Sequence, residues 1–74
     1  MFTREKFGAR LRELRQKNGE KQDELAELLE VSKSQISEME NGNKTTTLEK
    51  FALICEHYKV SADYLLGLKE QPEE

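Results

Sequence analysis

Seventy-four residues place the chain near the lower size limit for a domain that folds on its own core. A single cysteine, Cys55, excludes an intramolecular disulfide, and a single histidine, His57, leaves too few soft ligands for a closed zinc site. With 36% charged and 35% hydrophobic residues, one proline and a net charge of −3, the composition suits short amphipathic helices supported by tight packing or by self-association. No apolar run reaches the roughly 18 residues of a membrane span, and no secretory leader opens the chain. No membrane partner is therefore expected. The cytoplasm is the expected compartment, which a lone thiol also suits.

Phe7, Leu11 and Leu14 recur at four and three residues, the spacing of one helix face. Thr3 can cap this first helix and Asn18-Gly19 can stop it, which sets it at about Arg4 to Lys17. "KQDELAELLE" follows, with a stripe of Leu25, Leu28 and Leu29 beside Ala26 and with Asp23 and Glu24 in the first turn, where the helix dipole favours acids. The second helix is short, from Gln22 to Leu29, because Ser32-Lys33-Ser34-Gln35 is a capping box that opens a third almost at once. In the third helix Ile36 and Met39 point inward, and Asn41-Gly42 ends it. Thr46 or Thr47 can cap a fourth, with Thr46-x-x-Glu49 as another capping box. Its apolar face is Leu48, Phe51, Cys55 and Tyr58, with Ile54 alongside. Val60-Ser61 opens a short fifth helix through Leu66, stopped by Gly67.

The expected fold is an all-α, compact five-helix bundle spanning residues 1–68, with 69–74, "KEQPEE", as a flexible acidic tail. Cys55 falls on an apolar face and reads as a small core residue, and His57 as a surface residue. No constellation of side chains supports catalysis, a metal or a cofactor, so an enzyme is not expected.

Net charge hides an asymmetry. Residues 1–21 carry seven bases against three acids, whereas residues 22–44 carry two bases against six acids. The positive field is concentrated on the first helix and its exit. The link between the second and third helices is only Glu30, Val31 and the cap Ser32. A link that tight cannot reverse the chain into an antiparallel hairpin, so the two helices must cross steeply, as in a helix-turn-helix.

"LRELR", "QDELAELLEVSKSQISEMENG" and "VSADYLLG", in this order and spacing over about residues 7 to 67, resemble the phage repressor and Cro-type (XRE-type) helix-turn-helix regulators. The resemblance implies a lambda-repressor-like DNA-binding bundle, with the third helix in the major groove of double-stranded DNA. It also implies a buried or half-buried ion pair between Arg15 and Glu40, locking the third helix to the first. The alternative is that Glu40 is a solvated acid.

On the outward face of the third helix, Lys33, Ser34, Ser37 and Glu38 are the candidate base contacts. Glu38 departs from the family, which commonly places Arg or Gln there. It either accepts a bond from cytosine N4 or faces solvent or an intramolecular lysine. Candidate phosphate contacts are donors at helix N-termini and in the following loop: Lys21, Gln22, Ser32, Asn41, Asn43, Lys44 and Thr45. Asn41-Gly42 can serve as a helix cap as well. Glu30 and Lys59 stand at turns where many members carry glycine, and positive φ there would cost on the order of 1 kcal/mol each.

So few certain cations imply modest affinity per monomer, and hence a homodimer on two half-sites about one helical turn apart. Leu53, Tyr64 and Leu68 exceed what the core pattern requires and are the candidate dimer contacts, unless Tyr64 and one leucine merely complete the core. The expected function is a transcriptional regulator, most simply a repressor. The alternative is an antitoxin or protein-interaction module that uses the same bundle to bind a regulatory protein partner through its acidic surface.

Overall fold

Five helices form in a computed structural model that describes residues 1–72: α1 (Arg4–Lys17), α2 (Gln22–Leu29), α3 (Lys33–Glu40), α4 (Leu48–Tyr58) and α5 (Ala62–Leu66). Glu73 and Glu74, the end of the expected tail, lie outside the described residues. No strand occurs among the described residues, and the fold is an all-α five-helix bundle.

Local chemistry explains the boundaries. Thr3, Ser32, Thr47 and Ser61 each use the side-chain hydroxyl to accept the N–H three residues on, which satisfies a donor that the helix leaves orphaned. α2 starts differently. Lys21 has no acceptor to offer, and instead the Glu24 carboxylate accepts the Lys21 backbone N–H at 2.8 Å. All five helices stop alike, at a residue in the left-handed region: Gly19, Glu30, Gly42, Lys59 and Gly67. In each case the next N–H then reaches a carbonyl five residues back, as Val31 does to Ala26 at 3.0 Å and Asn43 to Glu38 at 2.9 Å. This stop turns the chain within one residue, which is why α2 and α3 are joined by only three.

Phe7, Leu11, Leu25, Leu29, Ile36, Ile54 and Leu65 are fully buried and form the centre of the core. Each contributes roughly 1.5–3 kcal/mol by leaving water. α3 sits against both α1 and α2. The α1 contact is close enough to require Gly8, since a Cβ there would lie 2.2 Å from the Met39 carbonyl oxygen.

The apolar faces differ from the sequence expectation at three positions. Leu48 is 81% exposed, because the helix cap is Thr47 and the first residue after it faces out. The alternative Thr46–Glu49 box therefore does not form, and Ile54 is the residue that α4 buries fully. Leu28 is on the rim and exposed.

The described part of the tail touches the bundle. Arg10 donates to the Lys69 carbonyl at 2.8 Å and to Glu70, while the Ser61 N–H donates to the Pro72 carbonyl at 2.9 Å. Among the described residues no helix is long and apolar enough to cross a membrane.

Glu30 and Lys59 do adopt positive φ, 57° and 55°. Relief of that strain is expected to outweigh the greater unfolded-state freedom of glycine. Glu30→Gly should therefore leave stability unchanged or raise it by up to about 1 kcal/mol in urea titration. A loss beyond about 0.5 kcal/mol would contradict the strain assigned to this turn.

Candidate nucleic-acid interface

α3 carries two faces of opposite character. Ile36 and Met39 are buried inward, together with Glu40. Lys33, Ser34 and Asn41 are exposed, and Ser37 and Glu38 are half-exposed between them. The inward face is fixed by an ionic anchor as well as by apolar contact. Arg15 Nε meets Glu40 Oε2 at 2.6 Å and its second arm donates to Oε1 at 3.1 Å, a two-pronged geometry. Both are buried, at 9% and 5% exposure. A third Arg15 N–H donates to the Glu20 carbonyl at 2.7 Å, so the anchor also holds the α1–α2 corner.

Burial alone would push the Glu40 carboxyl up. The Arg15 guanidinium, the Gln22 amide and the nearby Arg12 charge outweigh it, and Glu40 stays below the usual carboxylate range. The bond to Glu40 correspondingly raises Arg15 against its own burial.

Each candidate contact has a definite setting. Gln22 is half-buried and donates its side-chain amide to Glu40 Oε1 at 3.0 Å. One amide N–H and the backbone N–H at the start of α2 remain for another acceptor. Ser32 uses its hydroxyl oxygen to cap Gln35 and its backbone N–H to reach Gln35 Oε1 at 3.0 Å, and its hydroxyl makes a long 3.5 Å donation to the same oxygen. Lys33 lies 3.8 Å from Asp23 of α2 with both side chains largely exposed, a pairing worth under about 1 kcal/mol and readily given up. Asn41, Asn43, Lys44 and Thr45 are exposed around the stop of α3. Lys21 and Lys44 form no ion pair among the described residues.

Glu38 finds neither a lysine nor only solvent. Asn43 Nδ2 donates to its Oε1 at 3.2 Å.

Two arginines of α1 that the sequence did not single out border this region. Arg4 donates to the Asn43 carbonyl at 3.4 Å, and half-exposed Arg12 lies 3.5 Å from Glu40. Spacing cannot reveal either, because the α1–α3 approach that brings them there depends on the tertiary contact at Gly8.

A second missed cluster braces the back of the site. Glu20, in the α1–α2 corner, accepts a bond from Tyr58 at 2.6 Å and also meets His57, both on α4. Burial would raise the Glu20 carboxyl, but Tyr58 and His57 hold it low. Burial and the Glu20 charge push the Tyr58 phenol up. Cys55 is half-buried beside the core, and burial pushes its thiol up.

Tyr64 is not a free surface residue. It is 9% exposed, its ring lies 4.2 Å under the Arg10 guanidinium, and its hydroxyl donates to Glu13 at 3.2 Å. Its burial fits the alternative in which Tyr64 helps complete the core of its own domain. Leu53 and Leu68 remain exposed.

Two short helices crossing through a three-residue turn, with the second anchored inward and polar outward, define a helix-turn-helix. Residues 6–66 match the family model described as a helix-turn-helix domain. The chain belongs to this family, in its phage-repressor and Cro-type branch of DNA-binding regulators.

It is 36% identical over 64 residues to YobD, an uncharacterized HTH-type transcriptional regulator of Bacillus subtilis, covering 86% of this chain and 57% of that protein. The chain thus spans little more than half the length of this curated relative. Among solved structures, the clp gene regulator ClgR from Corynebacterium glutamicum superposes with a TM-score of 0.76 at 37% identity, over 88% of this chain and 69% of that one. The restriction-modification controller protein C.AhdI from Aeromonas hydrophila gives 0.72 at 31% identity, over 84% and 94%.

The Glu40 anchor has a pH signature. A carboxyl held below its usual range stabilises the fold above the unfolded-state value near about 4.3, and that contribution is lost as pH falls through the lower folded-state value. Glu40→Gln keeps the shape but leaves Arg15 buried without its counter-charge, so it should cost on the order of 3 kcal/mol at pH 7. The gap between variant and wild type should narrow at a pH below about 4.3, where the unfolded wild type takes up a proton that folded Glu40 resists. Urea titrations showing the same gap at both pH values would contradict the assignment.

Proposed function

We propose that this chain is a sequence-specific double-stranded DNA-binding transcriptional regulator, a cytoplasmic repressor that acts as a dimer on a palindromic operator with α3 in the major groove. It works by binding and carries no catalytic step. The observation that supports this most is the outward face of α3. Lys33, Ser34, Ser37 and Glu38 stand free of the core while Ile36, Met39 and Glu40 anchor the helix from behind.

In this reading Lys33, Ser34, Ser37 and Glu38 meet base edges, where small hydroxyls allow close approach and can bond to donors or acceptors. Lys21, Gln22, Ser32, Asn41, Asn43, Lys44 and Thr45 contact phosphates on either side of the groove. Gln22 then has two roles, since one amide N–H holds Glu40 and the other reaches the backbone of the DNA. With Tyr64 committed to its own domain, Leu53 and Leu68 are the leucines left for a dimer contact.

A second reading, a module that binds a protein partner, has one observation in its favour. Phe2 and Leu48 are exposed at an apolar cleft of about 340 Å³ that Thr45, Phe51 and Leu66 also line.

DNA capture from the source genome separates the two. Wild type should enrich a palindromic site, and Lys33→Glu and Lys44→Glu should each weaken that binding by more than about tenfold at moderate salt, since each replaces a cation facing the DNA by an acid. No enrichment even at low salt would favour the protein-binding reading.

A further inference from the structure

Glu38 is the acid on the outward face of α3, and one of its two oxygens is already engaged. Gly42, at φ +82°, turns the chain so that Asn43 returns beside the helix it has just left. The Asn43 backbone N–H donates to the Glu38 carbonyl at 2.9 Å, and the Asn43 side-chain amide donates to Glu38 Oε1 at 3.2 Å. From the other side Arg4 holds the Asn43 carbonyl at 3.4 Å. Glu38 Oε2 makes no hydrogen bond among the described residues. A glutamate on a helix surface samples several rotamers, whereas one tied through Oε1 to a loop amide presents Oε2 in a narrow range of directions.

We infer that Glu38 and Asn43 act as a pair that selects an exocyclic amino group on DNA: Asn43 positions the carboxylate, and Glu38 accepts a hydrogen bond from cytosine or adenine. This rests on α3 entering the major groove as proposed above. An ionised carboxylate only accepts. In the major groove cytosine N4 and adenine N6 donate, while guanine O6 and thymine O4 accept. On the contacted strand, an amino base facing Glu38 gains a bond, and a keto base there meets lone pair against lone pair. The acid on this face thus acts mainly by exclusion, which is how one carboxylate can serve a protein that must also approach phosphates. Arg4 at the start of α1 and Lys44 on the loop after α3 offset the repulsion that Glu38 adds. Asn43 is a positioning residue here, and its spare amide N–H still faces solvent for a phosphate.

The test is selection from a pool of randomised DNA duplexes, sequenced after binding to wild type, Glu38→Gln and Asn43→Ala, with thermal melting to confirm that each protein is folded. Wild type should enrich cytosine or adenine at one position on one strand of each half-site. Glu38→Gln, which adds a donor and keeps the shape, should lessen the discrimination against keto bases at that position by about tenfold and leave the other positions alone. Asn43→Ala should relax the same position several-fold while the rest of the motif persists. An enriched motif unchanged at every position by both variants would overturn the pairing and leave the groove reading intact. So would an Asn43→Ala effect that lowers affinity evenly across all positions, since that is the behaviour of a phosphate contact alone. A folded wild type that enriches no duplex would overturn the groove reading, and this inference with it.

Discussion

The buried ion pair between Arg15 and Glu40 sets which side of α3 the protein keeps and which it offers. Apolar packing of Ile36 and Met39 would hold an eight-residue helix against the core, but greasy contacts tolerate sliding and rotation. A two-pronged guanidinium–carboxylate bond does not, because its donors and acceptors lie in one plane. Glu40 also receives the Gln22 amide and the nearby Arg12 charge, so the first turns of α2 and the middle of α1 are referenced to the same carboxylate. The close seat of Gly8 on the Met39 carbonyl then sets the distance. Such a pair adds little net stability compared with well-packed apolar residues, and its value lies in specifying one arrangement.

The same anchor resolves the apparent conflict between an acidic chain and a polyanionic ligand. Charge acts over about 8–10 Å at ordinary salt, so the total of −3 matters less than what borders α3. Glu40 is neutralised inside, and Asp23 and Glu20 are occupied by Lys33, His57 and Tyr58. Arg4, Lys21 and Lys44 stand at the margins of the outward face without an acid in ion-pair range among the described residues. The folding of the chain thus carries further a separation of charge that the sequence already begins.

Much of the architecture was legible in the sequence because it depends on short-range chemistry. Thr3, Ser32 and Ser61 announce helix starts, and Asn18-Gly19, Gly42 and Gly67 announce stops, so α1, α3 and α5 begin and end where the pattern puts them. The failure at α4 has the same origin. Three consecutive threonines offer caps one residue apart, and the choice decides whether Leu48 faces the core or, as it does, solvent. The long-range partners were not legible. Glu20 meets His57 and Tyr58 across 37 and 38 positions, Arg4 meets Asn43 across 39, and no periodicity relates them. Glu38 was expected to meet a lysine or solvent if not a base, and instead meets Asn43, because the left-handed stop at Gly42 bends the loop back rather than away.

That α3 and its flanking loops are the surface touching DNA is tested most directly by backbone amide chemical shifts followed during titration with a duplex carrying the captured operator. Shifts should concentrate at Lys21 and Gln22, across Ser32 to Glu38, and from Asn41 to Thr45, while α5 and the His57–Tyr58 end of α4 stay still. Shifts confined to the Phe2, Leu48 and Leu66 side, with α3 unmoved, would contradict it.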